Sequence, residues 1–171
     1  MAIENFSILE AVELAVGIEK EGVRFYTLAA ARTDDPSMKE LFLDLKKKEH
    51  EHIVTFQGLY SELAEKQGDA DAALYLLDPE VAAAFHAYVE TAVFPGQGAS
   101  AEIIEACEGP DDILRLGMQA EKDSILYYHE LLSHAPYPEA KELIRKVIVE
   151  EGKHLTFLYR KMLEARAEES G

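Results

Sequence analysis

The chain has 171 residues, which is the length of one ordinary globular domain. Its 33 acidic residues outnumber 17 basic ones and give a formal net charge of −16, which argues against binding to nucleic acid or to anionic membranes. A single cysteine excludes an internal disulfide and any cysteine-built zinc or iron–sulfur module within these residues. No apolar run reaches the roughly 20 residues of a membrane span. Taken together, these features lead us to expect a cytoplasmic, mostly helical protein with no membrane and no nucleic-acid partner.

Apolar residues recur at alternating steps of three and four along four long stretches, as is typical of amphipathic helices. Proline and glycine signals separate these stretches. We therefore predict an all-α, single-domain chain with hairpin 1 over about 6–66, a crossover over about 67–109 and hairpin 2 over about 110–168. The long helices are predicted over about 6–32, 36–66, 110–134 and 139–167, with shorter helical pieces over about 79–93 and 100–107.

The two predicted hairpins repeat each other at a constant offset of 102 residues, which is the distance from Glu19 to Glu121. A Glu-x-x-His motif occurs once in each hairpin, 30 residues after the first glutamate in both cases. This agreement at polar positions of otherwise apolar faces indicates two copies of one helical hairpin. The matched pairs are Glu19 with Glu121, Tyr26 with Tyr128, Glu49 with Glu151, and His52 with His154.

The ionisable residues of the repeat lie on the faces that should pack in the core. Glu49 and His52, like Glu151 and His154, are three residues apart and therefore share one helix face. Burying a lone carboxylate or imidazole is costly unless the group is paired or bound to a metal. Two divalent cations would balance four carboxylates, and ligation rich in oxygen with one imidazole per metal suits iron or manganese better than a closed structural zinc site. The pattern therefore favours a dinuclear metal centre, with the ligand layout of di-iron carboxylate bundles.

The sequence resembles the rubrerythrin-like branch of the ferritin-like di-iron carboxylate family. The resemblance covers the four long helices. It implies a single ferritin-like domain over 1–171, a four-helix bundle with a long helical crossover between helices 2 and 3, and a site for two iron ions, for which manganese or zinc can substitute. The segments that carry it are EKEGVRFY with Glu19 and Tyr26, KKEHEH with Glu49 and His52, EKDSILYY with Glu121 and Tyr128, and EEGKH with Glu151 and His154.

The same resemblance implies a role for each matched residue. Tyr26 and Tyr128 would be hydrogen-bond partners of the ligand glutamates. Ordinary packing in the core is the alternative for both tyrosines. The six metal ligands would be Glu49 and Glu151 as bridges, Glu19 and Glu121 as terminal carboxylates, and His52 and His154 as one ligand to each ion.

Two features depart from the rubrerythrins. Ser124 stands where rubrerythrins carry an additional metal-site glutamate, and the chain has no Cys-x-x-Cys pairs of a rubredoxin-like domain. We expect redox chemistry of a di-ferrous centre with peroxide or dioxygen, with an external rubredoxin-like electron donor, in a homodimer or higher homo-oligomer. The alternatives are a ferroxidase or other iron-handling protein, and a helical interaction module with a structural metal site.

Some reactive residues lie outside the repeat pattern. His86 and Glu90 are four residues apart in the crossover, and we interpret them as a surface pair, with a metal site as the alternative. Cys107 is predicted to be a small buried hydrophobic residue. The run 46–48 of three lysines is predicted to be a solvated flank of the second helix.

Overall fold

The computed structural model describes residues 6–68 and 76–169, and the predicted all-α fold class is confirmed. Every helix end lies within two residues of its predicted position. None of the helices in these two ranges combines the length and the apolar character needed to cross a lipid bilayer. The six helices are α1 (Ile8–Arg32), α2 (Pro36–Gly68), α3 (Pro79–Thr91), α4 (Ala99–Glu105), α5 (Pro110–His134) and α6 (Pro138–Glu169).

Capping hydrogen bonds explain where the first two helices begin. The Ser7 hydroxyl accepts from the Glu10 N–H at 3.3 Å while the Glu10 carboxylate accepts from the Ser7 N–H at 2.8 Å, which is a capping box for α1. The Asp35 carboxylate caps α2 by accepting from the N–H groups of Met38 at 3.1 Å and Ser37 at 2.7 Å. These backbone hydrogen bonds lower the pKa of Asp35.

The sequence repeat is also a repeat of helix bounds. Helices α1 and α5 have 25 residues each, and their first residues, Ile8 and Pro110, are 102 positions apart. The same offset relates Pro36 to Pro138, which begin α2 and α6. The two hairpins are therefore built alike from their first turns onward. Residues 1–5, 69–75 and 170–171 of the predicted domain lie outside the described ranges.

The four long helices form a bundle whose apolar core is divided in two by a polar layer. One apolar cluster, here called the Phe56 cluster, includes Phe56, Tyr127 and Ile144. The other, the Phe42 cluster, includes Phe42 and Leu158. On each long helix, the residues of one cluster are separated from those of the other by buried ionisable residues. This polar layer lies at mid-height in the bundle, and it consists of Glu19, Glu49, His52, Glu121, Glu151 and His154.

The crossover is long because α2 and α5 run in the same direction. Helix α2 ends among residues of the Phe56 cluster, whereas α5 begins in the Phe42 cluster, so the chain must return along the bundle before α5 can start. The two short helices pack during this return. Helix α3 contributes Phe85 to the Phe56 cluster, and α4 contributes Ile104 to the Phe42 cluster. The crossover thereby covers the side of the bundle formed by α1 and α5.

Candidate metal centre

The polar layer brings together the six side chains that were predicted as metal ligands. None of them is more than 4% exposed. They form two overlapping groups of four, and within each group one donor atom per side chain lies within 4.8 Å of the others. Glu49 and Glu151 belong to both groups. The group completed by Glu19 and His52 is called the His52 position, and the group completed by Glu121 and His154 is called the His154 position.

Both histidines face the carboxylates through Nδ1. His52 Nδ1 lies 3.0 Å from Glu151 and 3.7 Å from Glu49. His154 Nδ1 lies 2.9 Å from Glu151 and 3.1 Å from Glu49. The two imidazole rings are stacked with their centroids 5.5 Å apart. Each shared carboxylate therefore contacts both histidines, as a carboxylate bridging two ions would.

Buried donor and acceptor atoms in the centre lack hydrogen-bond partners. Although the distances are short, the ring nitrogens and carboxylate oxygens do not meet in hydrogen-bonding directions. Unsatisfied buried polar atoms are rare because each costs about 1–3 kcal/mol. Lone pairs that converge in this way fit cations better than they fit a hydrogen-bonded core. Among the described residues, the atoms without a partner are Glu49 Oε1, His52 Nδ1, both carboxylate oxygens of Glu151, and His154 Nδ1.

Burial disfavours ionisation of the two terminal carboxyls, Glu19 and Glu121. Burial, followed by the charges of Glu151 and Glu49, raises the pKa of Glu19 well above its usual value. The same causes raise the pKa of Glu121. In the absence of a cation, both terminal carboxyls therefore retain a proton to higher pH than an exposed glutamate does.

The histidines and the shared carboxylates shift in opposite senses. Burial alone would lower the pKa of each imidazole, but the surrounding carboxylates outweigh it. They raise the pKa of His154 to about 12 and hold the pKa of His52 far above its usual value. Burial also opposes ionisation of Glu49 and Glu151, yet the pKa of both carboxyls is lowered. For Glu49 the cause is the polar interaction with Glu19 and then those with the two histidines, and for Glu151 it is chiefly the polar interaction with the histidines. Protons thus supply the positive charge that the cluster needs, and divalent cations could replace them.

Two tyrosines join the hairpins through the terminal carboxylates. The Tyr128 hydroxyl donates to Glu19 Oε1 at 2.5 Å, and the Tyr26 hydroxyl donates to Glu121 Oε1. In each case donor and acceptor belong to different hairpins. Burial, together with the nearby carboxylates, raises the pKa of both phenols, so they remain donors. The tyrosines therefore take part in core packing and also orient one oxygen of each carboxylate.

A cavity reaches the polar layer between α1 and α5, beneath the crossover. Glu49 and Glu121 line it on the side of the His154 position, next to Gly22 and Ser124. A Cβ atom at Gly22 would lie 3.1 Å from Glu49 Cγ, so this glycine leaves space for the carboxylate. The apolar walls of the cavity include Ile18, Phe25, Tyr88, Val93, Phe94 and Tyr127.

Two structurally important glutamates escaped the sequence prediction. Glu21 is 6% exposed and anchors the crossover, because it accepts from Gly98 N–H at 2.7 Å and from the Ser100 hydroxyl at 2.8 Å. Glu150 Oε2 lies 3.1 Å from Nε2 of His52. Nothing in the helical pattern marks Glu21, and the repeat does not select Glu150, because Lys48 stands at the matched position of hairpin 1.

The remaining reactive residues lie apart from the centre. The His86 ring packs against the Phe6 ring at 5.1 Å, and neither His86 nor Glu90 belongs to a ligand group within the described ranges. Cys107 is buried as predicted, and burial raises the pKa of its thiol.

Comparison with known proteins identifies one similar fold. No protein-family model and no curated protein matches the sequence. The crystal structure of a Thermotoga maritima protein, described as a candidate ferritin-like diiron-carboxylate protein, matches with a TM-score of 0.72 and 23% sequence identity. The match covers 94% of this chain and 97% of that chain. At this identity the likeness shows the fold alone, and the chain has the ferritin-like four-helix bundle that its sequence predicted.

Proposed function

We propose that the polar layer binds two iron ions and that the di-ferrous form reacts with peroxide or dioxygen. The observation that carries this proposal is the set of unpartnered donor atoms in the centre. Two groups of three carboxylates and one imidazole fit iron or manganese, and no cysteine competes for a softer metal. The description of the Thermotoga maritima protein as a diiron-carboxylate protein agrees with this assignment.

Different residues would bind the ions and give the oxidant access to them. Ferrous iron, when bound, would supply electrons to a small oxidant. Glu49 and Glu151 would be ligands of both ions, while the two tyrosine hydroxyls orient the terminal carboxylates. The cavity beneath the crossover offers a small molecule a route to the His154 position, and its apolar walls limit the water around the centre.

Repeated turnover requires electrons from outside this chain. Cys107 is the one cysteine in the 171 residues, so they hold no paired-cysteine electron-transfer module. We therefore propose a separate reductant, such as a rubredoxin-like protein. Because Ser124 replaces the additional glutamate of rubrerythrins, the relative rates with peroxide and dioxygen need not match theirs.

Iron handling is the second candidate function, and one surface feature favours it. A groove between α2 and α6 leads to His52, and glutamates outnumber basic residues along its walls. Such a surface attracts cations. Its charged lining consists of Glu51, Glu139, Glu142, Glu150, Arg145 and Lys146.

The experiment is stopped-flow oxidation of protein loaded anaerobically with ferrous iron. We expect the di-ferrous protein to be oxidised by peroxide, by dioxygen or by both, and to turn over repeatedly when a reductant is added. Glu49→Gln protein serves as the matched control for iron oxidised free in solution. Iron that stays ferrous for many minutes in excess of both oxidants would contradict the redox function. Accumulation of many ferric ions per chain would instead identify the protein as an iron-handling protein.

A further inference from the structure

The two halves of the centre carry opposite charges at one matched position. Glu150 lies four residues before His154, and Lys48 lies four residues before His52. The offset of 102 residues that aligns the ligands also aligns this pair. A carboxylate in hairpin 2 therefore corresponds to an ammonium group in hairpin 1, although all six ligand candidates are matched identically.

Glu150 contacts the histidine of the opposite hairpin. Its Oε2 lies 3.1 Å from His52 Nε2, the ring nitrogen on the far side from the carboxylate cluster. When Nδ1 of an imidazole binds a metal, Nε2 keeps its proton and donates it to a nearby acceptor. A carboxylate acceptor fixes the orientation of the ring and makes the imidazole a stronger ligand. Glu150 is placed to do this for His52.

His154 has no equivalent carboxylate. Among the described residues, no hydrogen-bond acceptor is found for its Nε2, and Lys48 pairs with Glu51 at 2.8 Å instead. The groove beside His154 has more basic than acidic side chains, the reverse of the groove beside His52. Positive charge near a bound cation weakens its binding. The charged residues that line this second groove are Asp44, Lys47, Lys48, Glu150 and Lys153.

We propose that the two metal positions are unequal and that the His52 position binds a divalent cation first, with Glu150 as its positioning residue. The inference rests on the proposed dinuclear centre. Because loss of such an outer partner costs about 10–100-fold in metal affinity, we expect the first ion to bind at least about tenfold more tightly than the second. The more weakly held ion then lies at the His154 position, whose Glu121 lines the cavity. The exchangeable ion is thus the one on the side open to small molecules.

The test uses Co²⁺ alone as the probe, with metal-free full-length protein. We expect an optical titration with two resolved steps. Crystals grown with one equivalent of Co²⁺ should show anomalous scattering mainly at the His52 position. Equal occupancy of the two positions, or preferential filling of the His154 position, would overturn the inference while leaving a dinuclear centre intact. Failure to bind Co²⁺ at all would overturn the dinuclear centre as well.

Charge variants assign the difference to the matched pair. Glu150→Gln should weaken the first step about tenfold and bring the two steps together. The exchange Lys48→Glu with Glu150→Lys should make the His154 position fill first. Glu142→Gln lies in the same groove without contacting a histidine and should leave both steps unchanged. If Glu150→Gln titrates like the unaltered protein, Glu150 does not position His52. The occupancy measurement on the unaltered protein holds even if a variant fails to fold.

Discussion

Glu49 and Glu151 are the residues on which the proposed centre depends most, because each lies within 3.7 Å of both histidines. The other four ligand candidates belong to one metal position each. This difference between shared and unshared ligands has a measurable consequence. Removing a shared ligand should affect two ions, and removing an unshared ligand should affect one.

We expect Glu49→Gln to lower the metal content of reconstituted protein from two ions per chain to less than one. Its amide cannot supply the anionic bridge that both ions share. His52→Ala should instead leave about one ion bound, since Glu121 and His154 still complete the other position. Elemental analysis after dialysis checks both values, with His50→Ala as the control because His50 is exposed. Two ions bound by Glu49→Gln protein would exclude Glu49 as a bridge.

Tyr26→Phe should destabilise the metal-free protein by about 1–3 kcal/mol, because it leaves the buried carboxyl of Glu121 without its hydroxyl donor. For a chain of this size, each kcal/mol corresponds to a decrease of about 2–4 °C in Tm. Thermal melts of metal-free protein measure the change. Tyr60→Phe is the control, since Tyr60 is 38% exposed. Equal melts for the two variants would show that the Tyr26 hydroxyl contributes only packing.

At this scale the sequence predicts residues that repeat and misses residues that do not. The six ligand candidates and the two tyrosines could be selected because polar residues recur at matched positions of apolar faces. Glu150 corresponds to Lys48, so the repeat gives no reason to select it. Its contact with His52 depends on how α6 packs beside α2, which the sequence pattern does not specify.

The helices themselves were predictable because local chemistry determines their ends. Ser7 and Asp35 supply caps, and proline begins α5 at Pro110 and α6 at Pro138. The path of the crossover was not predictable in the same way. Its short helices are held by contacts distant in sequence, above all the hydrogen bonds from Gly98 and Ser100 to Glu21. A glutamate on the side of α1 becomes buried because the crossover packs over it.

Glu21→Ala should therefore loosen the crossover without unfolding the bundle. A hydrogen bond to a charged group contributes about 1.5–3 kcal/mol, so amide exchange over residues 96–105 should accelerate by at least about tenfold. Exchange in α2 should change much less. Hydrogen–deuterium exchange with mass spectrometry measures both regions, and Glu13→Ala on the exposed face of α1 is the control. Unchanged exchange over 96–105 would mean that other contacts, such as the packing of Ile104 and the hydrogen bond from Arg32 to the Glu105 carbonyl, anchor this segment without Glu21.

At the scale of the whole molecule, the bundle has ionisable side chains at core positions that apolar side chains would ordinarily fill. Six buried ionisable residues interrupt the Phe56 and Phe42 clusters, and each would be destabilising without a compensating charge. In metal-free protein, protonated histidines supply that charge, and the raised pKa values of the terminal carboxyls reduce the negative charge they add. The folded state therefore holds protons that the unfolded chain releases, which couples stability to pH.

The sign of that coupling follows from the direction of each pKa shift. The imidazoles of His52 and His154 have pKa values raised above 6.5, so their contribution to stability is complete below pH 6.5 and is lost as the pH rises towards their folded values. The raised carboxyl pKa values of Glu19 and Glu121 act in the same sense from about pH 4.5 upward. The pKa values of Glu49 and Glu151 are lowered. The contribution of these two carboxylates to stability is therefore present above pH 4.5 and is lost in acid.

We therefore expect metal-free protein to lose stability steadily between pH 5.5 and pH 8.5, by up to about 1.4 kcal/mol per pH unit for each proton retained. Metal-bound protein should not show this loss, because the ions replace the protons, and metal binding should tighten as the pH rises. Urea unfolding of metal-free and Mn²⁺-loaded protein at four pH values across this range measures both trends, with His52→Gln expected to flatten the metal-free slope. If metal-free protein became more stable from pH 5.5 to pH 8.5, bound protons would not be what stabilises the six ligand side chains in the absence of metal.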